Sequence, residues 1–295
     1  MQRGLIFGFV LVVAALFWLP LLGVVTGSMA RMYHARGLAY QNAGDDRDAA
    51  AAYHAELRFD PRSAKAYNDL GTIQEDRGDH RGAIAFYDQA LRIDPAYAHA
   101  YSNRAWERLV LGDNGDAVAD DTRALRLDPG QAVAYTNRCL ALHHLGRDGD
   151  AVTDCTRAIG LRPGLSEAYV DRGLAYDALG AHRQAIADDD RALGLNPDDA
   201  TAFNNRGLAH YHLQEYANAQ ADYDRALGLE PTLAVGYYNR GLCRRARGDV
   251  AGAIADEREA ESLYRGQGNS AAATRAHDIL AALGAAAPDV TPTPL

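Results

Sequence analysis

The chain has 295 residues, of which 48% are hydrophobic and 23% are charged, so its composition is that of a folded protein with a core, not of a disordered chain. Its net charge at pH 7 is −9, which argues against nucleic acid as a main partner because binding to phosphates needs an excess of positive charge. Three cysteines are too few for a disulfide scaffold.

Residues 5–25 form an almost wholly apolar segment near the N-terminus. A helix of about 20 apolar residues spans a bilayer, so the length of this segment predicts a membrane anchor within residues 1–29. The small-residue run at 28–30 leaves open a cleavage near Ala30, which would give a secreted form. Because segments of this type usually deliver the following chain across the membrane, we expect residues after 29 on the extracytoplasmic side, in the periplasm or at the cell surface.

Prolines recur at one constant interval, which indicates an internal repeat. They are Pro61, Pro95, Pro129, Pro163, Pro197 and Pro231. Successive prolines are about 34 residues apart, a period typical of repeat architectures. Blocks of that length from Ala30 give seven repeats that end near Gln267, and position numbers below refer to these blocks. Position 4 is aromatic in every repeat and position 8 is small. Position 20 is always alanine: Ala49, Ala83, Ala117, Ala151, Ala185, Ala219 and Ala253.

This pattern resembles the tetratricopeptide repeat (TPR) family, whose unit is a helix–turn–helix of about 34 residues with these marks and a closing proline. The resemblance covers residues 30–267. It implies an all-α fold, a right-handed α-solenoid of seven TPR units with a concave groove lined by the first helix of each unit. Residues 268–284 are then expected to form a capping helix that begins at Asn269 or Ser270 and ends at Gly284. Residues 285–295 are expected to be a disordered tail.

Position 15 carries glycine in six of the seven repeats. A glycine at the end of a helix takes a positive φ without strain, so this position predicts the end of the first helix in each repeat. Gln214 is the exception. We expect it to destabilise its turn by about 1 kcal/mol.

Position 6 is where asparagines of the resembled family grip the backbone of an extended peptide, since a primary amide both donates and accepts hydrogen bonds. Here the asparagines are interrupted by Ala35, Asp69 and Asp171. The resemblance therefore implies backbone binding in two short stretches, and the alternative is that these amides are merely solvated. The candidate residues are Asn103, Asn137, Asn205 and Asn239.

Position 9 is mostly apolar, which suits the side chains of a bound peptide but also suits packing between neighbouring first helices. Trp106 is the best anchor candidate because tryptophan is enriched at binding hot spots. Three leucines at this position complete the row: Leu140, Leu174 and Leu208. His144 and Tyr211, at positions 13 and 12, are further candidate peptide contacts. His143 and His144 do not share a helix face, so they make a poor metal pair, and we expect no metal and no cofactor.

Positions 7 and 23 change together along the chain. Position 7 is arginine in six repeats, and position 23 is aspartate in repeats three to seven, whereas repeat two pairs Leu70 with Phe86. This covariation predicts contact across the helix pair, with the guanidinium forked on the carboxylate. Repeat one breaks the rule, with Arg36 opposite Ala52. A rival set of partners lies three residues after four of the aspartates: Arg123, Arg157, Arg191 and Arg225.

Cys139 and Cys155 occupy positions 8 and 24 of repeat four, which face each other across a helix pair. They are either a disulfide, if this part of the chain is extracytoplasmic, or two small buried thiols. Cys243 stands where other repeats carry alanine and is expected to be buried.

The sequence contains no glycine-rich phosphate loop, no G-x-S-x-G elbow and no metal-ligand spacing, so we expect no enzymatic activity. We expect a membrane-associated adaptor or scaffold that contacts the membrane through residues 5–25. Its protein partners would bind as extended peptide segments in the concave groove. The alternative is a structural spacer or homo-oligomeric assembly factor that docks by its convex face or its ends.

Overall fold

A computed structural model of the chain describes residues 24–286, which are built from helices and contain no strand. The predicted membrane segment at 5–25 therefore lies almost wholly outside the described residues, as does most of the predicted tail. The helices are α1 (24–42), α2 (Asp46–Phe59), α3 (Ala64–Asp76), α4 (His80–Ile93), α5 (Ala98–Val110), α6 (Asn114–Leu127), α7 (Ala132–His144), α8 (Asp148–Leu161), α9 (Ser166–Ala178), α10 (His182–Leu195), α11 (Ala200–His212), α12 (Tyr216–Leu229), α13 (Ala234–Ala246), α14 (Val250–Gly266) and α15 (Ser270–Ala286).

The fold divides into two compact units between Ala141 and Leu142, inside α7. In the first unit, each helix from α2 to α6 packs against the next helix in the chain. In the second unit, the same holds from α8 to α15. Each unit is thus a stack of helix pairs, and the predicted all-α repeat fold is confirmed.

Helix lengths repeat with the sequence. The first helix of repeats two to seven has 13 residues. The second helix of repeats one to six has 14 residues. The second helix ends two residues before the proline at position 32, in agreement with the prediction. Repeat seven carries Arg265 at that position, and its second helix, α14, runs on to 17 residues before Gly268 (φ 73°) ends it.

The turn between the two helices of a repeat needs a positive φ at position 15. All six glycines there have φ between 70° and 84°. Gln214 has φ 61° and is the sole non-glycine with positive φ within residues 24–286. The bond that closes the turn is kept, since the Glu215 N–H donates to the His210 carbonyl at 2.9 Å, as the Asp45 N–H does to Tyr40. The predicted destabilisation at Gln214 would therefore come from the left-handed backbone of this residue and not from a lost hydrogen bond.

Small residues let the two helices of a repeat approach closely. The position-20 alanines are at most 1% exposed. Position 8 faces position 24, and a Cβ added at Gly37 or Gly71 would lie 2.4 Å from the ring of Tyr53 or Tyr87 respectively. Glycine at position 8 is therefore required wherever a buried tyrosine stands at position 24.

Helix α15 covers the end of the last pair by packing on α14. The Asn269 side chain accepts from the Ala272 N–H at 3.1 Å, so Asn269 is the N-cap. Ala272 and Ala276 are buried, while Arg275 lies on an exposed outer face. The prediction that Gly284 ends this helix is wrong. Glycine adopts a helical φ as readily as a positive one, and the helix continues through Gly284 to Ala286.

Within the described residues helix α1 is already helical at residue 24, six residues before the first repeat. Residues 24–29, which were assigned to the anchor or signal, are helical and continuous with the first repeat, and Ala30 is buried. Among residues 24–286, no helix is both long enough and apolar enough to cross a membrane.

The cysteines of repeat four, Cys139 and Cys155, are fully buried and both are disulfide-bonded. Cys243 is free and buried, as its small-residue position predicts.

Candidate peptide-binding site

The first helix of each repeat presents one stripe made of positions 2, 6, 9 and 13, which the helical spacing places on one face. We call this face the A-helix stripe. Residues at positions 2 and 13 are exposed in all seven repeats, whereas those at positions 6 and 9 are mostly half-buried or buried. On each first helix, the stripe is therefore exposed at both ends of the helix and more buried in between. The predicted peptide contacts at positions 6 and 9 lie in this more buried part.

The candidate asparagines are more buried than solvated amides would be. Asn137, Asn205 and Asn239 are between 7% and 9% exposed, and Asn103 is half-buried. Because buried amides need hydrogen-bond partners, we expect these asparagines to bond to other groups of the protein.

Two of the asparagines join neighbouring repeats. Asn103 Nδ2 donates to Asn68 Oδ1 at 3.1 Å, and Asn239 Nδ2 donates to Asn204 Oδ1 at 3.1 Å. In both cases the acceptor lies at position 5 of the preceding repeat. Each of these amides thus uses one of its hydrogens within the protein. This bond between repeats was not predicted from the sequence, although asparagines stand at position 5 of one repeat and position 6 of the next in both cases.

The two aspartates that interrupt the asparagines at position 6, Asp69 and Asp171, both have raised pKa values. Burial, followed by the nearby carboxylates of Glu167 and Asp199, raises the pKa of Asp171 to about 8. Burial also raises the pKa of Asp69. At neutral pH Asp171 is therefore mainly protonated and carries an O–H donor.

The position-9 residues serve two purposes. Leu140 packs with the buried side chains of Ala105 and Leu109, so part of this row holds α5 to α7. Leu174 and Leu208 are likewise half-buried. Trp106, by contrast, is 37% exposed.

The two remaining candidates differ in exposure. His144 is exposed at the end of α7. Tyr211 is half-buried, packs against the Tyr216 ring at 5.6 Å between centroids and borders the buried cluster of Tyr223 and Cys243. Tyr211 thus contributes to packing between repeats.

The first unit carries an apolar surface on α5 and α7. Val110 is 43% exposed and Val133 is 45% exposed, and both belong to the A-helix stripe that also holds Trp106 and Leu140. We call these four residues the apolar patch. The two valines were not predicted from the sequence, because position 9 alone was considered and not positions 2 and 13 together with it.

The predicted arginine–aspartate pairs are confirmed in repeats three, five, six and seven. Arg104 Nε and Nη2 donate to the two oxygens of Asp120 at 2.8 and 2.6 Å, and its Nη1 donates to Asp88 Oδ1 at 2.5 Å. The last contact was not predicted. Asp88 lies at position 25 of the preceding repeat, so the guanidinium joins two repeats as well as two helices. The same three contacts recur in repeats six and seven: Arg206 with Asp222 and Asp190, and Arg240 with Asp256 and Asp224.

Two of the four rival arginines have other partners. Arg225 pairs with Asp198 at 3.2 Å, and Arg191 lies over the ring of Tyr169. Arg36, which has no aspartate at position 23, donates to the Tyr40 hydroxyl instead. The position-7 arginines therefore contribute to the scaffold by joining helices and, in repeats three, six and seven, neighbouring repeats.

Family models of the tetratricopeptide repeat match residues 34–98, 103–166, 166–199 and 200–233. Together with the repeated helix pairs, these matches show that the chain belongs to the tetratricopeptide repeat family. No curated protein sequence matches the chain significantly.

Solved structures share the fold at low sequence identity. A tetratricopeptide repeat protein from Parabacteroides merdae ATCC 43184 is 20% identical, with a TM-score of 0.66 over 85% of this chain and 99% of that chain. PilW, a type IV pilus biogenesis factor, is 20% identical, with a TM-score of 0.61 over 68% of this chain and 94% of its own. YrrB, a TPR protein with an unusual peptide-binding site, is 22% identical, with a TM-score of 0.51 over 63% of this chain and 96% of its own. At these identities the likeness shows the fold alone.

Proposed function

We propose that the protein is a membrane-associated TPR adaptor that binds an extended segment of a partner protein along the A-helix stripe, centred on repeats three and four. The observation that carries this proposal is the exposure of Trp106, Val110 and Val133 on the A-helix stripe. Asn103 lies one helical turn before Trp106 on α5. A cluster of exposed apolar side chains with polar residues around it is typical of an interaction site. TPR proteins as a class mediate protein–protein interactions, and YrrB provides one relative in fold with a peptide-binding site.

The geometry suggests how such a segment is held. Trp106 and Asn103 are three residues apart on α5, so an indole face and an amide point from one side of the helix. The carbonyl oxygen and second hydrogen of Asn103 suit a peptide unit of any sequence. The indole and the two valines select apolar side chains. The exposed Asp76, on the A-helix stripe of repeat two, favours a basic residue on that side of the apolar segment.

The proposed compartment is extracytoplasmic, with residues 5–25 as the membrane anchor. The apolar length of that segment supports the anchor. The disulfide-bonded state of Cys139 and Cys155 supports an oxidising compartment, since disulfides rarely persist in the cytosol.

A selection from a displayed library of random peptides tests the binding site without knowledge of the partner. The full chain in detergent is expected to enrich peptides with two or more apolar residues in a short extended stretch. Trp106→Ala is expected to weaken the binding of an enriched peptide at least tenfold, because the largest exposed apolar side chain of the patch is lost.

Leu111→Ala is the matched control, since Leu111 is 39% exposed in the same repeat but lies outside the A-helix stripe. It is expected to leave peptide affinity unchanged. Equal affinity of the wild type and the Trp106→Ala variant would overturn the assignment of the apolar patch. Retained binding by that variant together with loss in Leu111→Ala would place the site on another face.

A further inference from the structure

We propose that Asp177, His182 and His212 form a binding site for a divalent transition-metal ion of the zinc type. The three side chains offer one carboxylate oxygen and two imidazole nitrogens that all lie within 4.8 Å of one another. This set is distinct from the apolar patch and from the candidate asparagines. The proposal therefore does not depend on the proposed function.

The fold brings the three residues together from three helix ends. Asp177 lies in the last turn of α9, and His182 is the first residue of α10. The two are five residues apart, and the positive-φ turn at Gly180 (75°) turns the chain back so that their side chains meet. His212 is the last residue of α11, one repeat later.

Both imidazoles direct Nδ1 at the same carboxylate. His182 Nδ1 lies 2.6 Å from Asp177 Oδ1, and His212 Nδ1 lies 3.0 Å from Asp177 Oδ2. The ring centroids of the two histidines are 4.8 Å apart. Asp177 is 8% exposed, so the carboxylate is held in place, while His212 is 39% exposed on its side chain and leaves a path for an ion.

The ligand set and spacing fit a tetrahedral ion. Zinc binds imidazole nitrogen at about 2.0–2.1 Å and carboxylate oxygen at about 2.0–2.2 Å, so ligand atoms around it lie about 3.3 Å apart. The hydrogen-bonded separations of 2.6 and 3.0 Å need to open by less than about 1 Å to admit the ion between the three atoms. Two imidazoles and one carboxylate also leave one coordination position for water, as in other open zinc sites.

The chain contains a natural comparison one repeat earlier. His143 and Asp148 stand at the same two repeat positions, with acid and histidine exchanged, and their atoms are also 2.6 Å apart. The residue that corresponds to His212 is there Ala178, so the third ligand is missing. This pair lets the contribution of the third ligand be separated from that of a histidine–carboxylate pair.

Calorimetric titration of the chelator-treated full chain with Zn²⁺ tests the proposal. The wild type is expected to bind one equivalent. His212→Ala is expected to weaken binding at least tenfold because one of three protein ligands is lost, and His143→Ala is expected to bind as the wild type does. Thermal melts followed by circular dichroism in the presence of chelator are expected to be the same for the wild type and His212→Ala, since the removed side chain lies at a helix end.

A visible spectrum with Co²⁺ in place of Zn²⁺ gives a second readout, because nitrogen and oxygen ligands in a tetrahedral arrangement produce strong absorption bands that exposed histidines do not. The bands are expected in the wild type and in His143→Ala, and not in His212→Ala. Absence of binding by the wild type, or equal affinity and equal spectra for His212→Ala, would overturn the site.

Discussion

A single glutamine holds the backbone conformation that glycine holds in the other repeats. Gln214 has φ 61° in the turn between α11 and α12, and its side chain is exposed. Left-handed backbone costs a residue with a Cβ about 1 kcal/mol more than it costs glycine. We predict that Gln214→Gly raises the free energy of unfolding by about 1 kcal/mol in urea denaturation. Gly248→Gln, the reverse change at φ 83° in repeat seven, is expected to lower it by a similar amount. Equal stabilities of Gln214→Gly and the wild type would contradict this account.

Two carboxyl groups in the core make stability depend on pH. Asp189 and Glu257 are fully buried at position 24, and their carboxyl oxygens have no hydrogen-bond partner within residues 24–286. Burial, with a further contribution from Asp188, raises the pKa of Asp189 to about 9, and burial raises the pKa of Glu257 to about 8. Both groups therefore stay protonated in the folded chain at neutral pH, although they ionise near pH 4 when unfolded.

Between about pH 4 and pH 8 the folded state thus binds more protons than the unfolded state. The free energy of unfolding is predicted to fall as pH rises through this window, by up to about 1.4 kcal/mol per pH unit for each group. Urea midpoints at pH 5, 6, 7 and 8 measure this directly. A midpoint that rises or stays level across the series would show that these carboxyl groups are ionised or solvated in the folded chain.

Replacing Asp189 with a larger side chain tests how well position 24 of repeat five is packed. Asp189 faces Gly173, just as Tyr223 faces Gly207, so there is room for a ring. We predict that Asp189→Tyr raises the free energy of unfolding at pH 7 by on the order of 2 kcal/mol and makes its pH dependence less steep, because a ring is buried and a titrating group is removed. Asp121→Tyr is the control, since it faces Ala105, whose methyl group occupies the space that a ring needs. It is expected to destabilise the protein, and stabilisation by both changes would contradict the role of position 8.

At the level of helix pairs, positions 7 and 23 of a repeat contact each other either as an arginine–aspartate pair or as two apolar side chains. In repeat two the contact is apolar, between Leu70 and Phe86, whereas in repeat six it is the ion pair of Arg206 and Asp222. We predict that Asp222→Phe alone lowers the free energy of unfolding by about 3 kcal/mol, because the guanidinium loses its buried partner. Adding Arg206→Leu is expected to restore stability to within about 1 kcal/mol of the wild type. A double variant as unstable as the sum of its parts, measured in a double-mutant cycle, would contradict direct coupling of the two positions.

The helices were largely predictable because the same local signals recur in every repeat. The closing prolines, the position-15 glycines and the position-20 alanines each act within one helix pair, so the sequence alone located the turns and the close contacts. The end of α15 was not predictable from Gly284, since a glycine only permits a helix to stop. The second contacts of Arg104 and Asn103 were also missed, because they depend on how one repeat stacks on another.

In the candidate sites too, features set within one repeat were predictable and contacts between repeats were not. Trp106 was identified from its position in the repeat, and Val110 and Val133 follow from the same helical spacing once the whole stripe is considered. The metal-ligand set was not predictable from spacing, because His212 lies 35 residues from Asp177 and only the stacking of repeats brings their side chains together. Motifs that are local in sequence were therefore found, and constellations that span two repeats needed the structure.

At the scale of the whole molecule, the central claim is that a partner segment lies along the A-helix stripe at repeats three and four. Site-specific photocrosslinking in cells tests this most directly, with a photoreactive residue in place of Trp106 in one strain and in place of Leu111 in another. We expect crosslinks from position 106 to converge on one short segment of a partner protein, and position 111 to give none with that segment. Crosslinks to the same segment from both positions, or from position 111 alone, would contradict the claim.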